Sequence, residues 1–275
     1  MLLAEVINVA DKAVEAAEEK SSDFIIHHVM DNYNLFGVFP MPRIHLFGID
    51  VSITNHVAFL FFAAIIVFIF FTSLAKSYKK SLVPSGFNNL LEILVVFIRD
   101  DVVKPTIGEG YQRFLPYLLT VFFFILTANL LGLFPYGTTA TGDIAVTSAL
   151  ATISFIAIQG AGIKKHGFFG YFKGLMPHGI PGWITPVMFI VEILGIFTKP
   201  FALAIRLFAN MTAGHVVILS LIGLIFILKS LYVSPVSVGF ALFIYLLEIL
   251  VAFIQAYIFT ILTSLFIGMA VHQEH

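Results

Sequence analysis

The sequence contains no cysteine and few charged residues. The lack of cysteine excludes disulfide bonds, thiolate metal sites and cysteine nucleophiles. Asp, Glu, Lys and Arg make up only 11% of the 275 residues and the net charge at pH 7 is -1, so nothing indicates a nucleic-acid partner. Hydrophobic residues, in contrast, reach 59% and include 31 Phe. This composition is typical of a polytopic membrane protein, whose surroundings are the lipid bilayer.

Three apolar segments have the length of a transmembrane helix. Residues 56–75, 114–134 and 144–163 contain no Asp, Glu, Lys or Arg, and each has about the 20 residues needed to cross the hydrocarbon core. Residues 83–99 are shorter, and a proline, a glycine, two asparagines and a glutamate interrupt them. We therefore expect residues 83–99 to form an interfacial or only partly inserted helix.

Two further apolar segments are too long to stand upright in a bilayer. As helices, residues 184–228 and 236–270 would extend about 68 Å and about 52 Å, against a hydrocarbon core of about 30 Å. They must tilt strongly or break, and Gly195, Pro200 and Gly214 are candidate bend sites in the first. The sequence thus predicts an all-α membrane protein with about five embedded helices and one interfacial helix. Its last two helices are expected to form a long, strongly tilted hairpin.

The charges outside the apolar segments predict how the chain is oriented. Residues 1–50 are polar and acidic, unlike a signal or transit peptide, and we expect them to form a retained leader. Residues 51–275 would then form a single membrane domain. Lys and Arg are concentrated after the first and third spans, whereas residues 135–143 have none. By the positive-inside rule, the basic loops and the C-terminus are cytoplasmic and the leader is extracytoplasmic.

Few ionisable side chains other than tyrosine interrupt the two long segments: Glu192, Lys199, Arg206, His215 and Glu248. An arginine at bilayer depth costs at least about 2.5 kcal/mol, so it normally faces a partner or a water-filled cavity. Structural explanations are open at this point. Lys199 can extend to an interface, and Glu192 can neutralise a base on its own helix face. Arg206 can form a salt bridge with Glu248 that joins the two helices.

The same segments carry polar residues that suit a proton path. Asn210 lies one turn beyond Arg206 on the same helix face, whereas His215 lies about 180° around the helix. Glu248 and Gln255 are seven residues apart in the last segment. Histidine exchanges protons near neutral pH, and carboxyl groups in apolar surroundings can do so as well. Arginine stays protonated, so it can act only as a fixed positive charge.

No other pattern indicates a catalytic or ligand site. The sequence has no glycine-rich phosphate loop, no HExxH and no nucleophile elbow, so we expect neither an ATP site nor a cofactor in this chain. His27 and His28 are adjacent, and His272 and His275 are close, but neither pair belongs to a recognisable ligand set. We therefore expect no metal site.

Two stretches of the last third resemble a known family. "KPFALAIRLFANMTAGH" at residues 199–215 and "LLEILVAFIQAYIFTILTSLFIGMA" at residues 246–270 are similar to subunit a of F-type ATP synthases. The similarity continues more loosely through "TANLLGLFP" at residues 127–135, where Asn129 would have at most an interface role. The resemblance implies a non-catalytic, proton-translocating stator subunit. Its partners would be a rotating c-ring, along which the two long helices pack, and the b subunits of a peripheral stalk.

The resemblance also assigns roles to individual residues. Arg206 matches the essential arginine that faces the ring carboxylate and separates two offset aqueous half-channels. Asn210, His215, Glu248 and Gln255 would lie in or beside the extracytoplasmic half-channel. Glu192 matches an acid of the cytoplasmic half-channel.

One pair departs from a common bacterial pattern, in which the acid takes the position of His215 and the histidine that of Glu248. This chain has the pair swapped, as mitochondrial members often do. Because the two positions are expected to be neighbours, the swap preserves a proton-exchanging pair and leaves the order of transfer open.

An ion-coupled secondary transporter is the alternative, in which Arg206 would bind an anionic substrate near the midplane of broken helices. Paired inverted repeats would support it, but the first half of the chain has no counterpart of residues 184–228. His215 favours H⁺ over Na⁺ as the transported ion. The acidic leader and basic loops favour a bacterial plasma membrane.

Overall fold

The structure, a computed structural model, describes residues 34–35, 39–40, 45–46, 49–50, 54–80, 86–134, 139–174, 184–228 and 234–272. Two very short antiparallel hairpins precede the helices: β1 (Asn34–Leu35) pairs with β2 (Phe39–Pro40), and β3 (His45–Leu46) pairs with β4 (Ile49–Asp50). Most of the expected leader therefore lies outside the described residues, as do His27, His28 and His275.

The remaining regular structure of the described chain is helical. The elements are α1 (Asn55–Lys80), α2 (Phe87–Phe97), a π-helical segment (Ile98–Val103), α3 (Lys104–Ile107), a 3-10 turn (Tyr111–Arg113), α4 (Leu115–Gly132), a second 3-10 turn (Ala140–Gly142), α5 (Ile144–His166), α6 (Phe168–Gly174), α7 (Thr185–Leu228) and α8 (Ser234–Val271). Five of them, α1, α4, α5, α7 and α8, are long and apolar enough to cross a membrane. The prediction of an all-α polytopic membrane protein is confirmed.

Individual residues explain where the helices of the α4–α5 hairpin begin and end. Pro116 lies in the first turn of α4, where a missing N–H costs no helical hydrogen bond. The Asp143 carboxylate caps α5 by accepting a hydrogen bond of 2.8 Å from the Ala145 N–H. Gly167, at φ 74°, ends α5 in a conformation that favours glycine.

The two long segments form unbroken helices. α7 has 44 residues and α8 has 38, which correspond to about 66 Å and 57 Å of helix. Pro200 lies inside α7, and the helix continues past it. We expected each segment either to tilt strongly or to break, and neither helix breaks. Each helix must therefore tilt or extend beyond a hydrocarbon core of about 30 Å.

α8 lies at the centre of the packing. It contacts α7, α4 and α5, and its C-terminal part contacts α3. Leu118, Phe122 and Ile125 of α4 are fully buried. The hydroxyl groups of Thr106 in the α3 segment and Ser264 in α8 lie 2.6 Å apart. This core holds α8 in place, and α7 packs against both α8 and α5.

α2 is short, as expected, but the chain stays helical beyond its last residue. Its 11 residues extend only about 16 Å, too short to cross a bilayer. Phe87, Leu90 and Ile93 are exposed and Leu91 is buried, so apolar side chains face outward as well as inward. The helical path runs on through the π segment to Ile107, beyond the predicted end at residue 99. The charged residues 99–101 are followed by the fully buried apolar residues Val102 and Val103, which pack against the core.

Candidate functional site

Arg206 lies halfway along α7, about 32 Å from the first residue of the helix. Its side chain is exposed, and Phe201 and Ile205 just before it are exposed too. Among the described residues, Arg206 takes part in no ion pair or hydrogen bond. The salt bridge to Glu248 considered above is therefore not formed. A permanent cation is presented outward from an apolar surface.

His215 and Glu248 meet across α7 and α8. Nε2 of His215 lies 3.7 Å from Oε1 of Glu248, with the two side chains 26% and 3% exposed. Neither carboxyl oxygen of Glu248 has a hydrogen-bond partner in the described chain. A buried carboxyl group needs a donor or a compensating charge, and His215 is the group within ion-pair distance that can supply either. The expectation that His215 and Glu248 are neighbours across the two helices is confirmed.

Asn210 and Gln255 form a second link between the same helices. The Asn210 amide donates a hydrogen bond of 2.7 Å to Oε1 of Gln255, whose side chain is buried. Since α7 and α8 are antiparallel, this link lies nearer to Arg206 than the His215–Glu248 pair does. The structure thus brings together four of the six residues singled out in the sequence, as two pairs on one side of Arg206.

Glu192 stands apart from these pairs. It lies 14 residues before Arg206 in α7, about 21 Å along the helix, on the opposite side from His215. In the part of the chain that the structure describes, Glu192 pairs with neither Lys199 nor Arg206, so it does not neutralise a base on its own helix face. Lys199 has a contact of its own, since its ammonium group lies 4.9 Å from the centre of the Phe266 ring.

The connection between α4 and α5 supplies polar groups that sequence reasoning missed. The Thr139 hydroxyl is hydrogen-bonded to Nε2 of His215. The Thr141 hydroxyl donates a bond of 2.6 Å to the side chain of the fully buried Asn129. The amide of Asn129 in turn donates to the carbonyl of Ala252 in α8, at 3.4 Å. The signal in the sequence is a group of three threonines, Thr138, Thr139 and Thr141, in the short connection between two apolar segments.

A family model and individual relatives of known sequence indicate the same family for this chain. The family model of the ATP synthase A chain matches residues 33–268. ATP synthase subunit a of Chloroherpeton thalassium is 53% identical over 262 residues, which cover 91% of this chain and 77% of the relative. The chain belongs to the ATP synthase subunit a family.

Other relatives in this subunit a family are similar over most of their length. The protein of Chlorobium phaeobacteroides is 53% identical over 274 residues, covering 96% of this chain and 80% of the relative. That of Myxococcus xanthus is 50% identical over 229 residues, covering 82% and 75%. The resemblance seen in the sequence is confirmed, and the secondary-transporter alternative is set aside.

Membership of the subunit a family links this chain to ATP synthesis and proton transport as a multi-pass membrane component of the ATP synthase complex. The chemistry of the site is compatible with this membership. It consists of one permanent cation on the surface and a buried imidazole–carboxyl pair, and imidazole and carboxyl groups are able to exchange protons.

Proposed function

We propose that this subunit a conducts protons across the membrane through two offset half-channels, and that Arg206 faces the carboxylates of a rotating c-ring. The observation that carries the proposal is the exposed guanidinium group halfway along α7, without an ion-pair partner in the described chain. Such a charge is costly at bilayer depth unless something outside the chain compensates it. A ring carboxylate in the same complex has the required charge.

The charge of Arg206 would act in two ways. Next to a ring carboxylate, a permanent cation favours the ionised form and so promotes release of the proton that the carboxyl group carries. Because arginine does not give up its own proton, it cannot pass one directly between the half-channels. Protons would therefore cross only by travelling around on the ring.

The polar residues of α7 and α8 support an arrangement with one half-channel on each side of Arg206. The Asn210–Gln255 and His215–Glu248 pairs lie on one side and would form part of the extracytoplasmic half-channel. Glu192 lies on the other side and would belong to the cytoplasmic half-channel. His215, which can exchange a proton near neutral pH, favours H⁺ as the transported ion.

The charges and the relatives support an orientation in the membrane and a cellular location. Basic loops after α1 and α5 would be cytoplasmic and the leader extracytoplasmic, in the plasma membrane of a bacterium. The b subunits of a peripheral stalk would hold this subunit still while the c-ring turns.

ATP-driven proton pumping in inverted vesicles tests the proposal, with wild type, Arg206→Ala and Arg206→Lys compared in the assembled complex. Both variants should lose coupled pumping, by roughly 100-fold or more in the alanine variant. Lys199→Gln is the matched control, because it removes the other Lys or Arg side chain of α7, and this lysine contacts Phe266 within the same chain. Pumping by Arg206→Ala at the wild-type rate would overturn the proposal.

A further inference from the structure

The α4–α5 connection places a hydroxyl group directly on the proton-exchanging pair. Thr139 is hydrogen-bonded through its hydroxyl to Nε2 of His215, the same nitrogen that lies 3.7 Å from Oε1 of Glu248. We propose that Thr139 is a further member of the proton path, that it exchanges a proton with His215 through its hydroxyl, and that His56 positions it. The inference rests on the proposed proton-conducting function.

The position of Thr139 is closely defined by its surroundings. The residue is only 4% exposed. A Cβ added at Gly132, the last residue of α4, would overlap the Thr139 side chain, so the absence of a side chain at Gly132 creates its space. The carbonyl of Thr139 accepts a hydrogen bond of 2.8 Å from the N–H of Gly142 in the second 3-10 turn. Thr139 is therefore held in a buried, hydrogen-bonded position.

The chemistry of a hydroxyl group fits a relay beside His215. A hydroxyl donates one hydrogen bond and accepts others, so it can meet Nε2 in either protonation state of the imidazole. In the inward step, the O–H bond of Thr139 breaks as the N–H bond at Nε2 forms. A new O–H bond forms at the same time with a proton from hydronium in the aqueous half-channel, which leaves as water. Nε2 then faces the carboxyl group of Glu248.

His56, in the first turn of α1, holds Thr139 from the other side. Nδ1 of His56 lies 3.1 Å from the Thr139 carbonyl, and His56 is almost completely buried. Because a carbonyl only accepts, Nδ1 carries the proton in this bond. The Thr139 carbonyl thus receives two donors, from His56 and Gly142, which together hold the backbone from which the hydroxyl projects. His56 is a positioning residue, since it contacts Thr139, whose hydroxyl in turn contacts His215.

Paired substitutions at Thr139 separate the hydroxyl from the shape of the side chain. Thr139→Val keeps the shape and removes the hydroxyl, whereas Thr139→Ser keeps the hydroxyl. ATP-driven pumping per assembled complex should fall about tenfold or more in the valine variant and stay within about twofold in the serine variant. Equal rates in the two variants would overturn the proposal, whether both are fast or both are slow.

Two further comparisons complete the test. Thr147→Val is the matched control, because Thr147 is also buried, and within the described residues its hydroxyl bonds only the carbonyls of Asp143 and Ile144, in the preceding turn of the same helix. It should pump at the wild-type rate. If Thr139→Val fails to assemble, two substitutions of His56 test the proposal instead. His56→Asn keeps a donor near the position of Nδ1 and should pump, and His56→Leu should be slow, whereas equal rates contradict the proposal.

Arg206→Ala in the same vesicles distinguishes this inference from the function on which it rests. If Arg206→Ala abolishes pumping and Thr139→Val does not affect it, only the role of Thr139 fails. If Arg206→Ala pumps like wild type, the proposed function itself fails.

Discussion

Gly214 of α7 faces the carboxyl group of Glu248 in α8 with no room for a side chain. A Cβ added at Gly214 would lie 2.6 Å from Oε1 and 2.9 Å from the carboxyl carbon of Glu248. We expected Gly214 as a possible bend site, but α7 is unbroken there, and the residue instead allows close approach. The absence of a side chain at Gly214 thus leaves space for the carboxyl group beside His215, the next residue in the chain.

Substituting Gly214 should disturb proton pumping without removing any polar group. In Gly214→Ala, the new methyl group displaces the Glu248 carboxyl and alters its 3.7 Å separation from His215. We expect pumping to fall about tenfold, as geometry-dependent transfer is lost. Gly195→Ala makes the same change in the same helix, where a Cβ meets nothing within 4 Å, and should be neutral. Equal activity in both variants would contradict the role given to Gly214.

The lengths and positions of the helices could be predicted largely from hydrophobic runs. The predicted spans 114–134 and 144–163 correspond to α4 and α5, which begin and end within three residues of these limits. α1 continues five residues beyond its predicted end because a helix that leaves the apolar layer can carry exposed lysines such as Lys76 and Lys79. Hydropathy detects only the apolar part of such a helix.

The contacts of the site could be predicted only in part. Helical periodicity places Glu248 and Gln255 on one face of α8, but it says nothing about which residues of α7 lie opposite them. The pairing of His215 with Glu248 was expected from the family resemblance. The contact from Thr139 to His215 joins positions 76 residues apart and depends on how the α4–α5 connection folds back, which no local pattern determines.

Exchanging His215 and Glu248 tests whether they act as a pair. His215→Glu alone places two carboxyl groups side by side, and Glu248→His alone places two imidazoles there. The double variant restores one of each, so it should pump faster than either single variant, with a coupling energy of about 1 kcal/mol or more. Pumping rates of the four proteins form a double-mutant cycle. Additive losses would show that the two side chains act independently.

The link between Asn210 and Gln255 should contribute to both stability and conduction. Gln255→Met keeps the size of the buried side chain but removes the acceptor of a 2.7 Å hydrogen bond. Leaving the Asn210 amide without its acceptor should destabilise the subunit by about 1 kcal/mol, measured as an earlier thermal dissociation of the purified complex.

A double variant separates the two contributions of this link. In Asn210→Leu with Gln255→Met, both partners are apolar, so thermal stability should return towards wild type. Pumping should stay low, because the polar lining of the proposed half-channel is gone. Recovery of pumping together with stability would mean that the link is structural only.

The contact between α8 and α3 predicts where a small substitution is harmful to stability. A Cβ at Gly268 would overlap the backbone carbonyl of Thr106, and a backbone atom cannot swing aside as a side chain can. Gly268→Ala must therefore separate the two helices and strain the 2.6 Å contact between the hydroxyls of Thr106 and Ser264, which should cost about 1–3 kcal/mol. Gly239→Ala in the same helix meets nothing within 4 Å and should be neutral or slightly stabilising. Thermal dissociation of the purified complex measures the stability of both variants.

The same substitution should leave proton pumping intact. Because Gly268 lies 13 residues from Gln255 in α8, those Gly268→Ala complexes that assemble should pump at the wild-type rate per complex. A pumping defect without a loss of stability would mean that the α3–α8 contact controls the proposed half-channel and does not only support it.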